Sequence, residues 1–223
     1  MRIFGYDGFF AQAARYLGRL LLLNFCFLLC CIPAFTIGAA CAALYSVSFR
    51  QADEDSAVLD FFHAFKSNFR QATLIFLIFL AIGGVLGVSL YFLLSYEIPA
   101  GGVFRVLVLL LLVLCCSARA FVFPLQARYH NSVRQTVKNA FVLGTSLLLH
   151  GLVMSCITFL PCILFFVDAE LRVFLFVFSI WGLAGFAMSA RINAGIAYGV
   201  FRKIQPEESG AAQADTASEE EEL

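Results

Sequence analysis

Three stretches of this chain, Ala72–Ser95, Val103–Leu125 and Phe141–Val167, carry almost no charge, and each runs past the roughly 20 residues that a helix needs to cross a hydrocarbon core. A buried helix in a soluble protein rarely requires that length. The wider composition agrees: of 223 residues, 61% are hydrophobic, 15% aromatic and only 13% charged, more apolar surface than one soluble core of this size can hide. Lipid must cover the remainder. The expected fold is all-α, a polytopic transmembrane bundle of five to six membrane-embedded helices with interfacial amphipathic helices beside them.

The punctuation divides the chain further. Residues 1–19 read as an amphipathic lead-in, with Tyr16 and Leu17 on one side and Arg15 and Arg19 on another, suited to the headgroup layer. A transmembrane domain over 20–204 follows. Its first stretch, Leu20–Phe49, is interrupted by Pro33, which removes a backbone donor and clashes with the preceding turn. As helix it reaches only about 45 Å, too little for two upright spans, so segments 20–32 and 34–49 are expected to form a short hairpin or one kinked helix. Arg50–Gln71 is polar, and Phe61, Phe65 and Phe69 recur every four residues in it, the stripe of an interfacial helix over 57–71. Spans at 72–95, 103–125, 141–167 and 173–200 complete the domain, with tight turns near 96–102 and 168–172. Arg15 and Arg19 ahead of Leu20–Ile32 have the outline of a secretory signal, read here as a retained first membrane segment.

Zero formal charge conceals an asymmetry. Seven of the fifteen acids lie in 207–222, a stretch without Lys or Arg, so residues 1–206 hold fifteen bases against eight acids. The tail, 205–223, is expected to be disordered and acidic. Bases cluster around 50–71, 119–138 and 202–203, whereas the two tight turns hold mainly Glu97, Asp168 and Glu170, which predicts a cytoplasmic C-terminus. A basic membrane body is expected beside anionic lipid and is no argument for nucleic acid. All eight cysteines sit in apolar runs without CxxC pairs or histidines at ligand spacing, so they read as small hydrophobes, and neither a metal nor a cofactor is expected.

Polar groups inside lipid are costly unless paired and are therefore the natural candidates for function. Asn24, Arg119, His150, Arg191 and Asn193 meet that description. Asn24 is read as glue to a neighbouring helix, Arg119 as snorkelling toward the cytoplasmic end, and His150, near the middle of its apolar run, as a neutral histidine on a backbone carbonyl. No phosphate loop, HExxH, serine elbow or intramembrane carboxylate pair is present, so no enzymatic activity is expected and no catalytic residue is assigned. Lys66-x-x-Phe69-x-x-x-Thr73 and Lys138-x-x-Phe141-x-x-x-Thr145 echo one another ahead of two spans.

A distributed set of residues resembles a known family. Asn24-Phe25-Cys26-Phe27, Ile32-Pro33-Ala34-Phe35-Thr36-Ile37-Gly38 and Ala43-Leu44-Tyr45 come first. Phe61-Phe62-x-x-Phe65-Lys66-x-Asn68-Phe69-Arg70-Gln71-Ala72, Phe123-Pro124-x-x-Ala127-Arg128-Tyr129 and Thr136-x-Lys138-Asn139-Ala140 follow in order. Together they are similar to the YesL family of bacterial membrane proteins, over about residues 16–145, with Phe27 where that family usually has Trp. The resemblance implies a plasma-membrane location and genes beside carbohydrate uptake and polysaccharide degradation systems. It implies no catalytic residues, so Asn24, Pro33, Thr36, Gly38, Lys66, Asn68, Phe69, Lys138 and Asn139 stand as candidates for structure or partner contact, Gly38 and Thr36 as a close packing point at the Pro33 break. The expected partners are the bilayer and a carbohydrate permease or other membrane protein, in a role that is accessory or regulatory, or else as a small transporter or channel.

Overall fold

The computed structural model describes residues 9–50, 56–96, 101–129, 131–166 and 170–204. The first eight residues of the lead-in, Asp53–Asp55, most of the 96–102 turn, Asp168 and the acidic tail lie outside them. Within the described residues the protein is helical: α1 (Phe9–Cys31), α2 (Ile37–Arg50), α3 (Ala57–Ser95), α4 (Gly101–Arg128), α5 (Val133–Ser146), α6 (Leu148–Phe166), α7 (Leu171–Ile180) and α8 (Phe186–Ile204).

The chain breaks at Pro33. Residues around it form a bend and a short 3-10 turn, Ala34–Thr36, and the Thr36 hydroxyl donates to the carbonyl of Cys30, in the last turn of α1, and to that of Pro33, which also accepts the Thr36 N–H (2.9 Å). The chain then reverses. Tyr16, Arg19 and Leu20 of α1 come together with Leu44, Val47 and Ser48 of α2, so the two helices are antiparallel, with the proline turn at the far end. The lead-in residues from Phe9 onward continue directly into α1.

α2 is a helix of small residues buried on most sides, including Ala39, Ala40, Ala42 and Ala43. That permits close approach to α3. A Cβ added to Gly38 would lie 2.4 Å from the Ala72 carbonyl oxygen and 2.5 Å from Phe76 Cβ, so the two helices that Gly38, close after the Pro33 break, lets approach are α2 and α3.

Two expected segments are one. The interfacial helix 57–71 and the span 72–95 form a single helix of 39 residues, about 58 Å long at 1.5 Å per residue. Nothing in the polar-to-apolar change at Ala72 interrupts i→i+4 bonding, because neither glycine nor proline stands there. α3 and α4 run antiparallel, tied near one end where Arg105 Nε donates to the Leu93 carbonyl (2.8 Å) and near the other where Gln126 Nε2 donates to Asn68 Oδ1 (3.2 Å).

The opposite correction applies to 141–167, expected as one span. It is divided at Leu147, whose backbone leaves the helical region (φ −124°, ψ 47°), and α5 and α6 meet at a bend of 106°. Ser117 of α4 donates to the carbonyls of Gly144 (2.9 Å) and Leu148 (3.4 Å), meeting backbone acceptors beside the break. Glycines make room for it: a Cβ on Gly144 would stand 2.6 Å from the Ala118 nitrogen, and one on Gly151 would overlap the Ser117 side chain. The last span likewise carries an irregularity, a π-helical turn at Trp181–Gly185 between α7 and α8.

Among the described residues four helices are long and apolar enough to cross a membrane, five if the bent α5–α6 pair counts as one span, and Ala34–Arg50 is a shorter apolar helix. The packed core lies among α2, the first half of α3, the second half of α4 and α8. Beyond it the α3–α4 hairpin exposes apolar side chains all round, among them Val85, Tyr91, Val103 and Val106 at 66–73% exposure. So large an apolar surface implies a lipid bilayer, and the protein is a multi-pass membrane protein.

Candidate functional site

The buried polar groups of the bundle join distant helices. Asn24, fully buried on α1, donates through Nδ2 to the carbonyls of Trp181 (3.3 Å) and Gly182 (2.6 Å), and its Oδ1 accepts from the Ala187 N–H (3.0 Å). These partners bracket the π-helical turn, where the ordinary i→i+4 ladder is broken and backbone groups need outside partners. One carboxamide, carrying donors and an acceptor, suits that task. Gly185 allows the Trp181 indole to lie flat against the turn, since a Cβ there would come within 2.6 Å of the ring. The indole Nε1 is buried and has no acceptor among the described residues.

A second junction joins α2, α6 and α8. Asn193, also buried, donates to the Met154 carbonyl (3.1 Å), Thr158 Oγ1 (2.9 Å) and the Tyr45 hydroxyl (3.4 Å), while its Oδ1 has no partner among the described residues. Arg191, half-buried two residues before it on α8, donates to the Ser48 carbonyl. Arg119 is half-buried with its guanidinium 4.0 Å above the Phe159 ring, so it packs against α6 by a cation–π contact. His150 is not in the middle of a span: the bend at Leu147 makes it the third residue of α6, exposed beside a cavity of about 390 Å³ shared with Gly199 and Lys203.

At the basic end of the bundle the remaining candidates separate. Asn68 donates to the Ala64 carbonyl (3.0 Å) and accepts from Gln126, whose Oε1 in turn accepts from Thr136 (3.4 Å), which links α3, α4 and α5. Gln71 donates to the Asn131 carbonyl. Phe69 is half-buried, edge-on to Phe65 at 5.5 Å, whereas Lys66 and Lys138 are exposed, as is Pro33 at the far break. Asn139 faces a cavity of about 450 Å³ between α4, α5 and α8, whose other walls include Leu125, Tyr129, Asn131, Gln135 and Phe201. Tyr129 stands edge-on to Phe201 at 5.7 Å, and Arg128 lies 4.9 Å from the Tyr198 ring.

Sequence reasoning singled out Asn24, Thr36, Gly38, Asn68, Arg191 and Asn193, and the structure gives each a cross-helix or break-sealing contact. It missed Ser117, Gln126, Thr136, Gly144 and Gly151. A serine in an apolar run and two glycines flanking a later bend carry too little local signal to identify contacts between α4 and the α5–α6 pair. The described cysteines Cys26, Cys30, Cys31, Cys41, Cys115, Cys116 and Cys156 are free thiols. Among the described residues no group of three His, Cys, Asp or Glu side chains is placed to hold a metal.

No curated protein and no solved structure matches the chain. The family described as "Protein of unknown function, DUF624" matches over residues 20–90, which takes in α1 from Leu20, the proline turn, α2, and α3 as far as Leu90.

Proposed function

We propose that this protein is a non-enzymatic accessory or regulatory subunit of the YesL type, associated with carbohydrate uptake and binding a permease or another membrane protein within the bilayer. The observation that supports it most is how the intramembrane polar groups are used. Asn24, Asn193, Arg191 and Ser117 hold helices to one another, whereas coupled transporters keep ionisable side chains along a pathway. The outer half of the α3–α4 hairpin, exposed and largely apolar apart from Ser89 and Arg105, offers a surface for a partner helix. The DUF624 match over residues 20–90 includes Asn24, Gly38 and Asn68, residues that also carry the YesL resemblance. Gentle extraction into detergent tests the proposal: a permease that stays bound and is lost on replacing hairpin residues Val85 and Val106 with Trp supports it, and isolation of this chain alone refutes it.

A small transporter is the second reading, favoured by the helix breaks at Pro33, Leu147 and Trp181–Gly185. Solute flux into liposomes that contain only this chain would establish it and displace the first.

A further inference from the structure

We infer that the cavity between α4, α5 and α8 is a binding site for an uncharged, hydroxyl-rich small molecule of monosaccharide to disaccharide size. Gln135 and Asn139, four residues apart on α5, share one helical face, and Asn131, just ahead of the Ser132 cap of that helix, lines the cavity with them. Each side-chain amide offers a ligand two donors and an acceptor. Phe201 and Tyr129, set at 71° to one another, supply ring surface for the C–H faces of a sugar.

The lining selects against other chemistries. Among the described residues no charged side chain contributes to it, so an anion or cation would give up hydration without a counter-charge from them. A wholly apolar occupant would strip water from three amides and return nothing. At about 450 Å³ the cavity falls within the roughly 300–1,000 Å³ usual for small-molecule sites. Its position suits a dissolved solute: Leu125, Phe201 and Ile204 line it, close to Arg128 at the end of α4 and to Arg202 and Lys203 in the last turn of α8. This site is independent of any permease partner, because α4, α5 and α8 alone provide it.

The test is calorimetric titration of the full chain in nanodiscs, since alkyl glycoside detergents carry sugar headgroups that would occupy the cavity. Maltose, cellobiose, glucose and glucose 6-phosphate are the probes. Expected are binding of a neutral sugar, weaker binding of the phosphate, and affinity reduced roughly tenfold or more in Q135A/N139A, the loss of two hydrogen bonds. Gln135 is exposed, so Q135A alone should fold and still weaken binding; K138A, outside the lining, should not. The proposal is overturned if no sugar binds, if the amide variants bind as the parent does, or if glucose 6-phosphate binds tightest. It is equally overturned if only a chain ending at Ile204 binds, for the cavity would then belong to the chain's own C-terminal segment.

Discussion

Replacing Asn24 with Leu removes the side-chain hydrogen bonds at the π-helical turn while keeping the number and branching of the side-chain heavy atoms. Two carbonyls, of Trp181 and Gly182, and the Ala187 N–H lose their partner. Each buried group left unpaired costs about 1–3 kcal/mol, and cross-helix side-chain bonds in a membrane average about 0.6 kcal/mol. The carbonyls can recover part of this by relaxing toward i→i+4 bonding, which leaves an expected loss of about 2–3 kcal/mol. For a chain of this length a loss of that size lowers Tm by about 5–10 °C. Trp181 is the only tryptophan and lies within the turn, so intrinsic fluorescence during thermal unfolding reports this contact directly. The N24L protein should unfold earlier and show a shifted emission already in its folded state. An unchanged transition together with an unchanged spectrum would refute the view that Asn24 holds the last span to the first.

Gly38→Val should destabilise by about 3 kcal/mol or more, because its side chain meets the Ala72 backbone and an overfilled helix contact must separate. Gly83→Ala, with nothing within 4 Å, should be neutral or stabilise by up to about 1 kcal/mol; denaturant titration of both variants checks the pair, and equal effects would contradict the α2–α3 packing. Ser117→Ala frees the Gly144 and Leu148 carbonyls and should lower stability by about 1–2 kcal/mol, with faster hydrogen exchange near Leu147 by mass spectrometry. A reporter fused after Leu223 should be active only where the cytoplasm supports it, given Arg202 and Lys203 at the end of α8; activity on the opposite face would refute the expectation of a cytoplasmic C-terminus.

Much of the architecture was legible before any coordinates. Uninterrupted apolar runs required helices in lipid, Pro33 ruled out one straight helix while leaving a kink or a hairpin open, and the Phe61, Phe65 and Phe69 stripe required a helix before Ala72, because each of these follows from chemistry carried within a few neighbouring residues. The joining of 57–71 to 72–95 was not legible, since a change in polarity resembles a boundary although the backbone ladder passes through it. The bend at Leu147 was equally hidden: its support, Ser117, lies on another helix.

The candidate site divides along the same line. That Asn24 and Asn193 must be paired was readable from the cost of a bare amide in lipid, but their partners were not, since Trp181 lies 157 positions from Asn24. Hydropathy is a local property and assigns a segment to the bilayer whatever surrounds it. Which faces meet depends on helix direction, rotation and depth, and lipid, being as apolar as the side chains it touches, leaves that choice to close packing at Gly38, Gly144 and Gly151 and to the few polar side chains within reach of one another.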